Sequence, residues 1–306
     1  MQKVIQVSSE HRSDGRRFDQ LRPLKIAYDV FGYADSSVLF HVGNTKVLCS
    51  VSLQQGVPPF LRGKQVGWLN AEYAMLPTAT TTRKQRDNSG SKPNGRSLEI
   101  SRLIGRCLRS VVDVSRLGER TITIDCDVLQ ADGGTRTACI SGAHIALKRA
   151  VAYWVEQGII SSEAVVLREE IAAISVGLAG QQPLLDLDFS EDSAIDADFN
   201  FVMTKSGALV EVQGTAEKEP IRADKFQEIY ALATQGIADL FEFFQQEDAH
   251  SGYSSGAVGP FLRGTQEQGG QADRGSRAKS HTQSGSHAAA KPPLFSLQNR
   301  FQKNGE

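Results

Sequence analysis

The chain has 306 residues, a hydrophobic fraction of 40% and a formal net charge of −1 at pH 7. Overall charge therefore predicts no polyanionic partner, and any such partner must be recognised by local charge. Four cysteines, Cys49, Cys107, Cys126 and Cys139, lie in apolar runs without metal-ligand spacing, so we expect buried thiols and neither disulfides nor a zinc site. No run of about 18 apolar residues and no signal-peptide core is found, which predicts a cytoplasmic protein with no membrane partner.

Composition divides the chain into three predicted parts. Residues 1–11 form a polar N-terminal extension, residues 12–248 a folded domain, and residues 249–306 a polar tail rich in glycine and serine. The tail has too few apolar residues to build a core, so we expect it to be disordered. Its segment 292–301 contains prolines, leucines and phenylalanines, and is either a docking peptide for another protein or an apolar cluster without function.

Strand-like runs precede a helix in the first half of the folded domain. The predicted strands are residues 24–30, 37–42, 45–53 and 68–76. A glycine-asparagine pair at residues 43–44, between two β-branched runs, predicts a hairpin. Apolar residues then recur every three or four positions over residues 98–112, which predicts an amphipathic helix with Ser97 as its N-cap.

A basic loop separates the last of these strands from the helix. Residues 78–94 have no hydrophobic period, which predicts a long surface loop. From Arg83 to Arg109 eight residues are basic and two are acidic. A solvated helix face explains the helix arginines, whereas the loop arginines, such as Arg83 and Arg86, would also suit the backbone of a polyanion.

The rest of the folded domain again alternates strands and helices. The predicted elements are strands at 121–129, 172–178, 184–189, 199–204 and 208–213 and helices at 137–156 and 225–246. Gly158 is placed to end the first of these helices as a C′ glycine. The order of elements predicts an α+β fold built from two similar halves.

The glycine turn, residues 131–136, joins strand 121–129 to helix 137–156 and reads Ala-Asp-Gly-Gly-Thr-Arg. Two glycines let the backbone approach a ligand, and the first amides of a helix lack intrahelical partners and favour an anion. Arg136 adds a planar fork of donors that suits phosphate oxygens. Read alone, the same residues also fit an ordinary tight turn with a solvated arginine.

An acidic stretch is the second candidate site. Asp186 and Asp188 are two residues apart and are expected to share one face of the predicted strand, with Asp192 and Asp198 following it. Converging carboxylates suit Mg²⁺, although an acidic surface loop is the alternative. With the glycine turn, and with Arg96 at the head of a helix, they are the parts that phosphoryl or nucleotidyl transfer requires.

Residues 126–138 resemble the signature segment of the bacterial ribonuclease PH family, the phosphate-dependent 3′ exoribonucleases that trim transfer-RNA ends. Further segments resemble family motifs in the same order, namely residues 43–47, 57–63, 71–73, 95–96, 187–193 and 212–217. The resemblance extends from about residue 12 to residue 246. Ser101 and Phe199 depart from the family pattern, in which glutamine and methionine are expected.

The resemblance implies two β-α halves like the second domain of ribosomal protein S5, assembled as a homohexameric ring, a trimer of dimers. The implied site residues are Arg96, Gly134, Thr135 and Arg136 for phosphate, Asp192 and Asp198 for catalysis and for the metal, and Arg83 and Arg86 for RNA.

The implied reaction is phosphorolysis of transfer-RNA precursors beyond their CCA end. Inorganic phosphate is the co-substrate, nucleoside diphosphates are released, and nucleotide addition is the reverse reaction. The resemblance implies Mg²⁺, leaves Mn²⁺ open, and does not decide which aspartate protonates the leaving hydroxyl. Two alternatives stand beside it: a non-catalytic RNA-binding ring subunit of the exosome type, and a hydrolytic ribonuclease that needs no phosphate.

Overall fold

A computed structural model of the chain describes residues 12–86, 94–162 and 166–251. The predicted N-terminal extension, part of the basic loop and the segment 292–301 lie outside the described residues. The described residues form two β-sheets and the helices that cover them, which confirms the predicted fold of two β-α halves. No helix within these ranges is long and apolar enough to cross a membrane.

The first sheet belongs to the N-terminal half. Its strands are β1 (Leu24–Tyr28), β2 (Ser36–Val42), β3 (Thr45–Gln55), β4 (Trp68–Met75) and β5 (Arg120–Gln130). The spatial order is β1-β2-β3-β5-β4, and β4 and β5 form the parallel pair. A parallel pair needs a crossover, which helix α1 (Gly95–Val111) provides. The predicted hairpin joins β2 to β3, with Gly43 in the left-handed region at φ 58°.

The second sheet is antiparallel throughout. Its strands are β6 (Ile171–Ala179), β7 (Gln182–Leu185), β8 (Ala197–Thr204) and β9 (Leu209–Ala216), in the order β7-β6-β8-β9. Three further helices are α2 (Thr135–Glu156), the single-turn α3 (Phe189–Asp192) and α4 (Ala223–His250). The glycine turn precedes α2 and the acidic stretch surrounds α3.

Helix α2 lies at the centre of the core. It packs on β2 and β3 of the first sheet and on β6 of the second. The sequence of α2 is apolar on nearly all sides, as expected of a helix buried between two layers. Because α2 begins at the glycine turn, its burial fixes that turn relative to both sheets. The four cysteines are free and buried, as predicted.

Two local predictions were wrong. Helix α1 begins at Gly95, and its N-cap is Asn94, whose side chain accepts a hydrogen bond from the Arg96 amide at 3.1 Å. Ser97 therefore lies inside the first turn. Both asparagine and serine are favoured N-caps, so residue type alone did not separate the two positions.

The predicted strand 184–189 ends at Leu185 instead, so Asp186 and Asp188 do not share a strand face. Asp186 has a left-handed backbone at φ 53°, which an extended strand does not allow. Asp188 is the N-cap of α3 and forms a capping box with Glu191. The alternation of residues 184–189 was thus overridden by a helix start, because Asp and Glu three residues apart satisfy the first amides of a helix.

Candidate active-site cleft

Residues from both halves line a cleft of about 1670 Å³. The predicted phosphate residues and the predicted acidic pair all line it, namely Arg96, Gly134, Thr135, Arg136, Asp192 and Asp198. Arg83 and Arg86 are exposed on the basic loop and do not line the cleft, whereas Lys84 between them does. The structure therefore brings together six of the eight residues expected at the site.

The glycine turn owes its shape to two left-handed residues, Gly133 at φ 76° and Gly134 at φ 63°. A Cβ atom on Gly133 would lie 2.5 Å from the carbonyl oxygen of Leu187. The glycine turn is therefore in direct contact with the acidic stretch, residues 186–198, which is called the acidic segment below. Gly134 is the N-cap of α2 and supplies no side chain to its first amides. Those amides remain at the positive end of the helix dipole and can bind an anion.

The β2–β3 hairpin holds the glycine turn from one side. The Thr45 hydroxyl donates to the Gly133 carbonyl oxygen at 2.7 Å and accepts from the Asp132 amide at 2.9 Å. The Asn44 side-chain amide donates to the Asp132 carboxylate at 3.0 Å. Thr45 is fully buried, which makes these bonds strong constraints on the backbone of the turn. This contact explains why residues 43–47 form a motif, a role that the sequence alone did not reveal.

Two further side chains orient the residues after the glycines. Gln213 of β9 accepts a hydrogen bond from Arg136 Nη1 at 2.8 Å, and Glu99 lies 3.8 Å from the same nitrogen. Tyr73 of β4 donates from its hydroxyl to Thr135 Oγ1 at 3.2 Å. Both Tyr73 and Gln213 fall in motifs recognised by resemblance, but nothing in their residue types predicted these partners.

Asp192 and Asp198 form the acidic side of the cleft. Asp192 is the last residue of α3, and Asp198 lies in β8, paired with Gly177 of β6. Loss of water around the Asp192 carboxylate, with the negative charge of Asp198, raises the pKa of Asp192, while Arg96 and Arg136 oppose the rise. Two carboxylates thus face two guanidinium groups across one cleft.

The carboxylate pair offers only hard oxygen ligands. Across the described residues, no group of three or more histidine, cysteine, aspartate or glutamate side chains is placed to hold a metal ion. Mg²⁺ keeps several waters and binds one or two protein carboxylates together with substrate phosphates, so a pair of this kind fits its coordination without a full protein cage. Zinc and copper sites built from sulfur or imidazole are not matched by these oxygen donors.

Comparison with known proteins identifies the fold and the family. Residues 20–152 match the model of the 3′ exoribonuclease family, domain 1, and residues 169–236 match domain 2 of the same family. The chain belongs to the ribonuclease PH family. The two family domains correspond to the two β-α halves, and the cleft lies where they meet.

Similar proteins are found among both sequences and structures. The chain is 52% identical over 230 residues to ribonuclease PH of Neisseria meningitidis serogroup C, covering 75% of this chain and 94% of the relative. Ribonuclease PH of Neisseria gonorrhoeae is 50% identical with the same coverage. Rrp46 from rice has the same fold, with 16% identity, a TM-score of 0.62, and coverage of 77% of this chain and 99% of that one. The Archaeoglobus fulgidus exosome with RNA bound to the active site also matches, with 24% identity, a TM-score of 0.62, and coverage of 76% and 92%.

The two departures from the family pattern lie outside the cleft. Ser101 donates to the Ser97 carbonyl oxygen within α1. Phe199 of β8 lies over Gly214 of β9, where an added Cβ would be only 2.1 Å from the ring, and it stacks on Phe201 at 6.0 Å between ring centroids. Gly214 thus provides the space for the larger residue at position 199.

Proposed function

We propose that phosphorolysis takes place in this cleft, with inorganic phosphate bound at the glycine turn and the RNA 3′ end between that turn and the acidic pair. As a ribonuclease PH, the chain is a phosphorolytic 3′ exoribonuclease of transfer-RNA precursors, a transfer-RNA nucleotidyltransferase. The observation that carries the site assignment is the meeting of two arginines, the N-terminus of α2 and two carboxylates in one cleft.

Phosphate binding is assigned to the cleft residues that come from the N-terminal half of the protein. Attack by phosphate on a phosphodiester brings two anions together, so their repulsion must be neutralised. Arg96 and Arg136 supply positive charge, and Thr135 with the amides after Gly134 supplies directed hydrogen bonds. Holding the phosphate in line with the scissile bond converts a two-molecule encounter into a reaction within one complex. The products are a nucleoside diphosphate and an RNA shortened by one nucleotide, and the reverse reaction adds a nucleotide.

The acidic pair is assigned to the leaving group. The 3′ oxygen of the shortened RNA must gain a proton, and Asp192 or Asp198 donates it. Burial and the charge of Asp198 raise the pKa of Asp192, which favours the protonated form of Asp192. A bound Mg²⁺ or Mn²⁺, held by Asp192 and Asp198, would neutralise charge on the scissile phosphate.

The basic loop is assigned to RNA binding, and the chain to a ring-shaped assembly. Arg83 and Arg86 are exposed, and with Lys84 in the cleft wall they would contact the RNA backbone upstream of the 3′ end. A homohexamer built as a trimer of dimers is proposed from family membership, and the Archaeoglobus fulgidus relative is itself an exosome assembly. Cytoplasmic location and a protein partner for segment 292–301 stay predictions from the sequence.

The decisive experiment follows a transfer-RNA precursor with an extended 3′ end, with and without phosphate, in wild-type protein and in Arg136→Ala. We expect nucleoside diphosphates that appear only with phosphate, and much slower release in the variant. Release of monophosphates without phosphate would identify a hydrolytic ribonuclease instead. RNA binding without any release would favour the non-catalytic ring subunit, although this chain retains both the arginines and the acidic pair.

A further inference from the structure

One buried arginine joins the two segments that form the cleft. Arg22 lies just before β1, outside the cleft lining, and is only 5% exposed. Its Nη1 donates to the carbonyl oxygen of Asp132 in the glycine turn. Its Nε and Nη2 donate to the two carboxylate oxygens of Asp186, at 3.0 Å and 2.7 Å. A single guanidinium therefore spans from the phosphate side of the site to the acidic side.

We infer that Arg22 and Asp186 are positioning residues, which set the distance between the glycine turn and the acidic segment and thereby determine phosphate binding. This inference rests on the proposed function of the cleft. Neither side chain touches the substrate in this assignment, and both act through the backbone to which they are bonded.

The geometry of Asp186 supports a positioning role. Asp186 is 2% exposed, and its backbone is left-handed at φ 53°, a conformation that costs energy for a residue with a Cβ. Such a residue persists only where its surroundings determine it. The Arg22 amide also donates to the Asp186 carboxylate at 2.9 Å, and Arg12 and Arg16 donate to the Asp186 carbonyl oxygen at 3.0 Å each. Asp186 is thus held by hydrogen bonds to both its side-chain carboxylate and its backbone carbonyl.

Stability alone is a weak explanation for this pair. Removing two charges from water is costly, and well-packed apolar residues often replace a buried ion pair with no loss of stability. What an apolar pair cannot reproduce is the directed bond from Arg22 to Asp132. That bond acts together with the close packing of Gly133 on Leu187 and Asp188 to fix the turn against the acidic segment.

The chain contains a matched control for this pair. Asp29 also has φ 53°, and its carboxylate also pairs with an arginine, Arg149, at 2.9 Å. The Asp29 pair is more exposed, with 34% of the aspartate side chain accessible against 3% for Asp186, and neither of its residues lines the cleft. Asparagine tolerates the left-handed region, so Asp29→Asn and Asp186→Asn each remove one charge without changing the backbone preference.

The experiment compares these two variants with wild type in phosphorolysis of the same precursor. We expect Asp186→Asn to raise KM for phosphate by about ten-fold or more while KM for RNA changes less than about two-fold, because the glycine turn binds phosphate. Asp29→Asn should leave both constants within about two-fold of wild type. Thermal unfolding is measured for each, and we expect both to melt below wild type.

Arg22→Lys and a double-mutant cycle separate positioning from general destabilisation. Lysine keeps the charge but lacks the fork that reaches both segments at once, so the phosphate KM should again rise. Combined with Arg136→Ala, Asp186→Asn should add little further loss of phosphate affinity, because its effect is transmitted to the same bound anion.

Three outcomes would overturn the inference: a phosphate KM in Asp186→Asn that matches Asp29→Asn, wild-type behaviour of Arg22→Lys, or full additivity with Arg136→Ala. A failure of the proposed function looks different, because wild-type protein itself would then degrade RNA without phosphate.

Discussion

The two sides of the cleft are built in contrasting ways. The phosphate side is fixed largely through backbone atoms: Thr45 and Arg22 bond the carbonyls and amides of the glycine turn, and α2 anchors its far end in the core. The acidic side presents carboxylates from a single helical turn and from a strand. The side assigned to the nucleophile is thus shaped by its main chain, whereas the acidic side acts through two side chains.

This difference matches the demands of the chemistry. An attacking phosphate must be held in line with the scissile bond, and misplacement by about 1 Å can cost roughly a hundred-fold in rate. Carboxylates that share a hydrated cation can adjust through side-chain rotation. We therefore expect substitutions that add atoms to reduce activity most at the phosphate side. Substitutions that remove a charge should show how strongly each side acts on the bound anions.

The largest effect is expected from Gly133→Ala. The added Cβ would lie 2.5 Å from the Leu187 carbonyl oxygen in a backbone at φ 76°, so the turn must move away from the acidic segment. We expect a stability loss of roughly 2–4 kcal/mol from strain and overpacking, together with loss of phosphorolysis. Urea unfolding and the precursor assay measure the two effects.

Gly207→Ala is the control for that variant. Gly207 has φ 89° in the β8–β9 hairpin, and no atom lies within 4 Å of its added Cβ. It should lose only about 1 kcal/mol and keep its activity. Equal losses in the two variants would show that the contact with the acidic segment is unimportant.

Next in size is Arg136→Ala, which removes charge from the phosphate side without steric conflict. We expect kcat/KM for phosphate to fall by about 30-fold or more, equivalent to about 2 kcal/mol of lost transition-state stabilisation. Arg168→Ala serves as the control, because Arg168 pairs with Asp113 and does not line the cleft. An unchanged rate in Arg136→Ala would contradict the assignment of the phosphate site.

A smaller effect is expected from Gln213→Ala. It removes the acceptor that orients Arg136 at 2.8 Å but leaves the arginine in place. Loss of one such hydrogen bond is worth about 1 kcal/mol, so the phosphate KM should rise several-fold, with kcat nearly restored at saturating phosphate. A drop in kcat that saturation does not relieve would mean that Gln213 acts on the transition state itself.

The smallest effect concerns a second carboxylate pair, outside the cleft. Asp125 of β5 lies beside Glu72 of β4 in the parallel register. Burial and the charge of Glu72 raise the pKa of Asp125 to about 6. Folding therefore favours the protonated form, and the ionised carboxylate destabilises the protein increasingly as pH rises from about 4 to about 6.

Asp125→Asn removes that cost. We expect the variant to be more stable than wild type by about 1 kcal/mol above pH 7, with the difference vanishing below pH 4, where the wild-type carboxyl is protonated in both states. Thermal unfolding across this pH range provides the measurement. Unchanged activity would show that the charge of Asp125 does not influence catalysis.

Much of the fold was predictable because hydrophobic period and turn residues act locally. The hairpin at residues 43–44, the helix expected over 137–156 and the glycine at position 158 that ends it, with φ 65°, were all confirmed. The strand expected over 184–189 failed because its alternating pattern competes with a capping box and with the buried partner of Asp186. Periodicity contains no information about a partner 164 positions away.

The residues that line the candidate site were predictable, but the residues that hold them in place were not. Residue types and motif order indicated which residues would converge, and six of them line the cleft. The supporting residues Thr45, Tyr73 and Gln213 act through single hydrogen bonds between distant segments. A threonine such as Thr45, or an arginine beside a proline such as Arg22, occurs in many structural contexts. Only the folded structure shows which residues they contact.

The arginines before β1 have a consequence for how the protein forms during synthesis. Arg12 bonds Glu191, 179 positions later in the chain, and Arg22 bonds Asp186. Before residues 186–191 have been synthesised, Arg12 and Arg22 lack these carboxylate partners. The cleft must therefore form late in folding. The nascent chain therefore gains the geometry of the cleft only after both halves have emerged.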